Sequence, residues 1–479
     1  MLRQAIDRLA LSQPTINVRR HGAALRAIGK EMLTPETRSA LMDYALGPVT
    51  LVPGLLLLLA IHLTTTFGGW SIDQTMALGI GLTTGMLTAS VFLPSIGRRA
   101  SIYVATDDPV SLRHYAWLTI ALLFAGGVVA SAFVYAATGQ LGLLTPKTRA
   151  IFALGSLGLG FVWLLGGWLS LLRQYRWLML GLVCGLITFI AIDRLLALLT
   201  PHHIGPAALA GFGVAISVEM RALIRRLGAV FPASPDSIPT LPASAYLAWE
   251  AAPYLAHGAI ILLFILTPHA LGWLGAQQLA ENALAGFAHV QIALTLSLPP
   301  LALANGVIER TLRVVWRWSK EQLEATNGNQ PEAFHAGIRA LYWRQLGVLL
   351  ATVLGSSLLL LIGFRWAIVA DLAPVWLAGF NLNLIALLAA LTLGSYGLLA
   401  WAYLNGALCV TLNCPVAILP AGLIGLLTMA VIGIPLCLTL GYGQAIVAFL
   451  SGASVYAALS TRSVIRALNA SDYHFFASG

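Results

Sequence analysis

Charge is what this chain has least of. Only 9% of its 479 residues are Asp, Glu, Lys or Arg, while 58% are hydrophobic. A soluble domain carries about 25% charged residues to cover its surface, so a soluble fold is excluded. Lysine is nearly absent, with Lys30, Lys147 and Lys320 alone. None of them follows the glycine spacing G-x-x-x-x-G-K-[ST], which excludes ATP hydrolysis by a phosphate-binding loop. No His-Glu-x-x-His occurs, and His, Cys and carboxylates nowhere fall at zinc spacing, so no metal, cofactor or catalytic residue is expected. Cys184, Cys409, Cys414 and Cys437 lie within or at the edges of apolar segments. They read as small packing residues with no disulfide or metal pattern. Residues 1–46 lack the apolar core and cleavage site of a secretory signal, so they are expected to be retained.

What the chain does have is long apolar runs. Each is roughly 20 residues, the length that crosses a bilayer as a helix. Barrel strands would alternate over about 10 residues, so a β-barrel is excluded. The class is an all-α polytopic membrane protein. Spans are expected near 48–68, 75–96, 114–138, 150–171, 177–197 and 206–221, then near 249–272, 284–304, 345–364, 381–403, 415–438 and 443–461. Between the two sets lies a run that is polar and rich in proline, with Pro232, Pro235, Pro239 and Pro242. Such a run neither continues a helix nor sits in hydrocarbon. It divides the chain into a cytoplasmic amphipathic segment (1–46), a six-helix bundle (47–221), the connector (222–248), a second six-helix bundle (249–461) and a tail (462–479).

The net charge of +9 reads as loop charge at a membrane, not as a nucleic-acid surface. With twelve spans and the N-terminus inside, 23 of the 27 basic residues fall on the cytoplasmic side. Only Lys147, Arg149, Arg194 and Arg365 fall outside. One span more or fewer would invert part of this bias, so it predicts twelve spans with both termini cytoplasmic. Six spans per half place the halves in the same orientation. A faint repeat agrees: Gly69-Trp70 returns as Gly272-Trp273, and Leu93-Pro94 before Arg98-Arg99 as Leu298-Pro299-Pro300 before Arg310. The longest polar break, 305–344, reads as a cytoplasmic extension of the eighth span with an amphipathic return.

Polar groups inside spans are few, and such groups face a cavity or another helix. The candidate substrate path comprises His257, His289 and Gln291, with Glu250 at the start of the seventh span and the Asp193-Arg194 pair near the outer end of the fifth. For the histidines the alternative is hydrogen-bonded packing; for Asp193-Arg194 it is an interfacial pair whose heads reach water. Glu219, one turn before Arg221, Arg225 and Arg226, reads as their local partner. Pro53, Pro253, Pro299 and Pro300 are candidate hinges, because intrahelical proline frees backbone carbonyls. Ordinary tolerance of membrane proline is the other reading.

Several stretches carry a resemblance. They are Gly47-Pro48, LPSIGRRASIYVATDD (93–108), GGWLSLLRQYRWLMLGLVCG (166–185), GFGVAISV (211–218) and LPPLALANGVIERTLRVVWRWSKEQLEATNG (298–328). With twelve spans in two halves, the chain resembles the multidrug/oligosaccharidyl-lipid/polysaccharide (MOP) flippase superfamily, and within it the PelG-type exopolysaccharide transporter branch. Two departures stand out. The charged, aromatic motif of that branch near the end of the seventh span is LTPHALGW (266–273) here. The carboxylate that cation-coupled drug exporters carry in the first span is missing, as that span has only His62, so coupling through that site is not expected. The resemblance implies a bacterial inner-membrane flippase for exopolysaccharide or lipid-linked oligosaccharide, working by alternating access and not an enzyme. Implied partners are membrane lipids, the glycan or lipid-linked glycan, and a cytoplasmic glycosyltransferase with other synthase subunits; nucleic acid is not expected. The alternatives are an exporter of small amphipathic molecules on the same fold, a subunit scaffolding a polysaccharide synthase, and a lipid-modifying membrane enzyme.

Overall fold

The computed structural model describes residues 108–140, 145–172, 174–197, 204–230, 244–278, 283–326, 331–370, 381–412 and 414–469, with isolated helical positions between 74 and 103. The expected first span, Pro53, the N-terminal segment and the tail beyond 469 lie outside the described residues. In chain order the helices are α1 (Pro109–Gln140), α2 (Pro146–Leu171), α3 (Tyr175–Ala197), α4 (Ile204–Val230), α5 (Ser244–Gln278), α6 (Ala283–Leu296), α7 (Leu298–Thr326), α8 (Pro331–Val369), α9 (Leu382–Thr411), α10 (Leu419–Leu440) and α11 (Gln444–Leu468).

Among the described residues ten segments are long and apolar enough to cross a bilayer, α6 and α7 together forming one of them. They coincide with the third to twelfth expected spans. Their polarity is that of a membrane protein. Leu354, Leu358, Leu359, Ile362 and Trp366 on α8, and Leu423, Leu427 and Val431 on α10, are exposed large apolar residues. Such a surface is stable only against hydrocarbon.

Local chemistry sets the helix ends. α2 begins with Pro146 behind Thr145, whose hydroxyl accepts from the Thr148 N–H at 3.4 Å, an ordinary proline start and N-cap. α10 ends at Gly441, which has φ of 93°, a conformation that favours glycine. Two boundaries differ from expectation. α4 runs through the three arginines to Val230 because no proline interrupts it before Pro232, which leaves the connector shorter than 222–248. α8 begins at Pro331 and continues without a break into the ninth span. The return of the 305–344 segment is therefore the first turns of that span. Trp318 stacks on Phe334 at 5.4 Å and closes the α7–α8 hairpin.

Buried apolar clusters respect the connector. One gathers Leu112, Tyr115, Trp168, Leu178 and Leu223; a second gathers Leu78, Phe152, Leu159 and Phe189. The C-terminal half has its own core around Phe264, Tyr396, Met429, Phe449 and Tyr456. Among the described residues no cluster spans both halves.

The last two helices of each half meet through glycine. A Cβ on Gly185 of α3 would lie 2.7 Å from the Gly211 carbonyl of α4, and one on Gly211 would lie 2.9 Å from the Gly185 carbonyl. Gly425 of α10 and Gly452 of α11 repeat this, at 2.9 and 2.8 Å. Such small-residue contacts let membrane helices pack backbone to backbone. They are the fifth–sixth and eleventh–twelfth spans, so the structure repeats where the sequence barely does. The offset between halves grows from about 200 at the early spans to 425 against 185 here, because the 305–344 hairpin lengthens the second half.

Candidate functional site

His257 lies one turn beyond Pro253, which sits inside α5. Its side chain is 1% exposed. The ring fills a notch left by Gly406 of α9, where any Cβ would overlap it. It stacks parallel to Tyr403 at 6.5 Å. Neither ring nitrogen has a hydrogen-bond partner. The structure therefore places His257 in a tight seat between α5 and α9, packed as the alternative reading expected but without the hydrogen bonds.

Beside that seat is a polar hub the sequence reading missed. Asn405 is fully buried; its Oδ1 accepts from Tyr342 Oη at 2.8 Å, and its Nδ2 donates to Ser460 Oγ at 2.9 Å and Thr461 Oγ1 at 3.1 Å. One asparagine thus joins α8, α9 and α11. The signal in the sequence was an amide alone in the apolar run 398–412, a placement that is costly in hydrocarbon unless paired.

His289 is elsewhere. Its Nε2 accepts from the Asn381 N–H at 3.3 Å, and its ring lies 6.0 Å from Tyr442. Asn381 in turn caps α9 by accepting from the Leu384 N–H at 3.1 Å. His289 therefore anchors the start of α9 and the α10–α11 turn to α6. Gly272 of α5 packs against Val290, which puts His289 beside the far end of α5. From His257 to that level is about 22 Å along the helix, so the two histidines do not share a site. Gln291 has its side-chain oxygen buried, and His269 of α5 lies next to it.

Asp193 and Arg194 differ in burial. Asp193 is fully buried and Arg194 exposed, because adjacent helix positions face about 100° apart. The side chain of Glu250 lies outside the described residues. Of the candidate hinges, Pro253 is accommodated within a continuous α5, as is Pro268. Pro299 and Pro300 occupy the first turn of α7, and the eighth span breaks just before them, at Ser297. The prolines supply no N–H, so the last carbonyls of α6 lose their helical donors. Ser297 Oγ stitches the break by donating to the Ala293 carbonyl at 2.8 Å and to the Ala389 carbonyl of α9 at 3.2 Å.

Glu219 corrects the local-pair reading. Arg221, Arg225 and Arg226 are exposed, while Glu219 is fully buried in the stripe with Ala215, Ala222 and Leu223. Its side chain fills the notch at Gly181 of α3, where a Cβ would lie 2.8 Å from Glu219 Cγ. Neither carboxyl oxygen has a hydrogen-bond partner. An acid seated this way is a net liability to folding, since an apolar side chain of the same shape leaves no orphaned polar atom. Glu219→Met is expected to stabilise the purified protein by about 1–2 kcal/mol, read as a higher midpoint in thermal unfolding in detergent. An unchanged or lower midpoint would mean that the carboxyl has a partner in the folded protein.

Among the described residues no group of three or more His, Cys, Asp or Glu is placed to hold a metal ion. The arrangement offers pairs of tightly packed helices, one broken span and buried polar groups, of which Asn405 joins three helices.

No family model and no curated protein sequence matches the chain. Solved structures do. A MOP superfamily transporter from Pyrococcus furiosus superposes with a TM-score of 0.61 at 14% identity, over 90% of this chain and 96% of that one. A multidrug resistance MATE family transporter of the MOP superfamily in its outward-facing conformation gives 0.59 at 14% identity, over 91% and 96%. An inward-facing one gives 0.60 at 12% identity, over 90% and 99%. Identity this low establishes the fold: an all-helical, multi-pass membrane protein with the architecture of MOP transporters.

Proposed function

We propose that the chain is an inner-membrane transporter that moves exopolysaccharide or lipid-linked oligosaccharide outward by alternating access, with both termini cytoplasmic. The observation that carries this reading is the separate packing of the two halves, each with its own core and its own glycine crossing. Two such units can tilt against each other without either core being remade, and the break at Ser297 supplies a place where the eighth span bends. The substrate class rests on the PelG-type stretches, 93–108 and 298–328 above all. It also fits the chemistry: a sugar chain is held by amide, imidazole and aromatic surfaces, and 13 Trp and 13 Tyr are available for them. Within this reading the substrate passes along α5 and α6 by Gln291, with membrane lipid around the bundle. A cytoplasmic glycosyltransferase docks at the α7–α8 hairpin, where Arg317, Arg339 and Arg344 are exposed.

A second reading, export of small amphipathic molecules, is favoured by the likeness to multidrug resistance transporters. One experiment separates the two. The purified protein is reconstituted into liposomes with a fluorescent lipid-linked oligosaccharide, and in parallel with cationic dyes. Glycan movement that needs the protein but not ATP, and that falls at least about tenfold in Gln291→Leu, supports the flippase. Dye export with no glycan movement turns the assignment to the small-molecule exporter. Movement of neither, with a glycosyltransferase co-purifying, turns it to the synthase scaffold.

A further inference from the structure

Cys409 and Cys414 stand five residues apart and look in the sequence like two unrelated packing residues. The end of α9 brings them together. The Cys414 N–H donates to the Cys409 carbonyl at 2.8 Å, and the Leu412 N–H closes on Leu408. A bond from the sixth residue back to the first across a helix end is the kind that, in the Schellman pattern, accompanies contact between the side chains of the third-last helical residue and of the residue that donates it. Those two positions are Cys409 and Cys414. A hydrogen bond of 2.8 Å between their backbones keeps the α-carbons within about 7 Å, inside disulfide reach. Their exposure is unequal: Cys409 is fully buried and Cys414 partly exposed.

We infer that Cys409 and Cys414 form an oxidisable dithiol, with Cys414 the thiol that meets the oxidant and Cys409 the one that resolves it. With a peroxide as oxidant, Cys414 Sγ attacks one peroxide oxygen, the O–O bond breaks, and a sulfenic acid and one water form. Cys409 Sγ then attacks the Cys414 sulfur, the S–O bond breaks, and the hydroxyl leaves as a second water with the Cys409 proton. Two thiols and one hydrogen peroxide give one disulfide and two waters. The asymmetry favours this order, because a reagent reaches Cys414 and not Cys409. The adjacent Cys409 thiol also holds Cys414, which lies between the spans, below the usual thiol range, and that raises the fraction present as the attacking thiolate.

The bond would fasten the turn from α9 into α10. Cys409 is one turn beyond Asn405 and Gly406, so the fastened turn borders the three-helix hub and the seat of His257. The inference does not depend on what the protein transports.

The test uses the full chain, purified under reducing conditions and treated with hydrogen peroxide. Free thiols are then counted by a maleimide–polyethylene glycol gel shift after denaturation, and linkages are mapped by peptide mass spectrometry. Of the four cysteines, two should disappear together into one Cys409–Cys414 cross-linked peptide, and dithiothreitol should restore both. Cys184 and Cys437, on α3 and α10, should remain free. In Cys409→Ser, Cys414 should accumulate as sulfenic or sulfinic acid, which a dimedone adduct or added oxygen mass reports. Over-oxidation of Cys414 in the unmodified chain while Cys409 stays reduced would overturn the inference. So would linkage to Cys184, to Cys437 or to a second chain.

Discussion

Leucine in place of Gly452 is expected to deplete the folded protein, and leucine in place of Gly185 to do the same. At position 452 a Cβ would stand 2.7 Å from Met429 Cβ and 2.8 Å from the Gly425 carbonyl; at 185 it would stand 2.7 Å from the Gly211 carbonyl and 2.9 Å from Ala215 Cβ. A side-chain end can swing aside, but a helix carbonyl moves only with its helix. Accommodating leucine therefore means separating α10 from α11, or α3 from α4. Overpacking a core costs about 1–3 kcal/mol where neighbours can shift, and backbone contact puts these sites at or beyond the upper end. Gly355→Leu is the control. It lies on the exposed face of α8 with nothing within 4 Å of its Cβ position, and replacing a helical glycine there gains up to about 1 kcal/mol of helix propensity. The measurement is the monodisperse yield of a fluorescent fusion on size exclusion, before and after heating. Wild-type yield and melting in Gly452→Leu would refute the close crossing.

Asn405→Leu should produce the largest loss from any single polar group. It removes three hydrogen bonds between α9 and two other helices, and leaves the buried Tyr342 and Ser460 hydroxyls without that partner. Interhelical hydrogen bonds in membrane proteins average about 0.6 kcal/mol each, whereas orphaning a buried polar group costs about 1–3 kcal/mol. The sum is about 3–5 kcal/mol. The second figure dominates, so the effect is non-additive. Tyr342→Phe in the Asn405→Leu background should recover part of the loss, since it removes one orphan. A double-mutant cycle on thermal or denaturant unfolding reads the coupling. Strict additivity would mean that Tyr342 and Asn405 do not act through each other.

Both predictions concern residues that no ranking by sequence picks out. Gly355 and Gly452 are each a glycine in an apolar helix, and nothing in their local context separates the lipid-facing one from the one at a backbone crossing. Asn405 stood out only as an amide in an apolar run, with partners 55 to 63 residues away. Glu219 misled for a related reason. Three arginines nearby in sequence suggested an ion pair, but the helix carried the acid onto its buried stripe and left the arginines exposed. His257 and His289 stand out in the sequence as unusual for hydrocarbon and are grouped there in one path, whereas the helices hold them about 22 Å apart.

Composition, the length of the apolar runs and the distribution of 27 basic residues determined by themselves that the chain is a helical membrane protein. They also placed the third to twelfth spans where helices stand, because hydrophobic length and charge bias are summed along the chain and survive errors at single positions. Only the tertiary structure decided which face of each helix is buried, which glycine meets a carbonyl, which polar groups are paired and which cysteines touch. Those outcomes depend on the rotation and crossing of neighbouring helices, and a shift of one residue turns a side chain by about 100°. No local stretch of sequence carries that information, since it belongs to all the packed side chains at once.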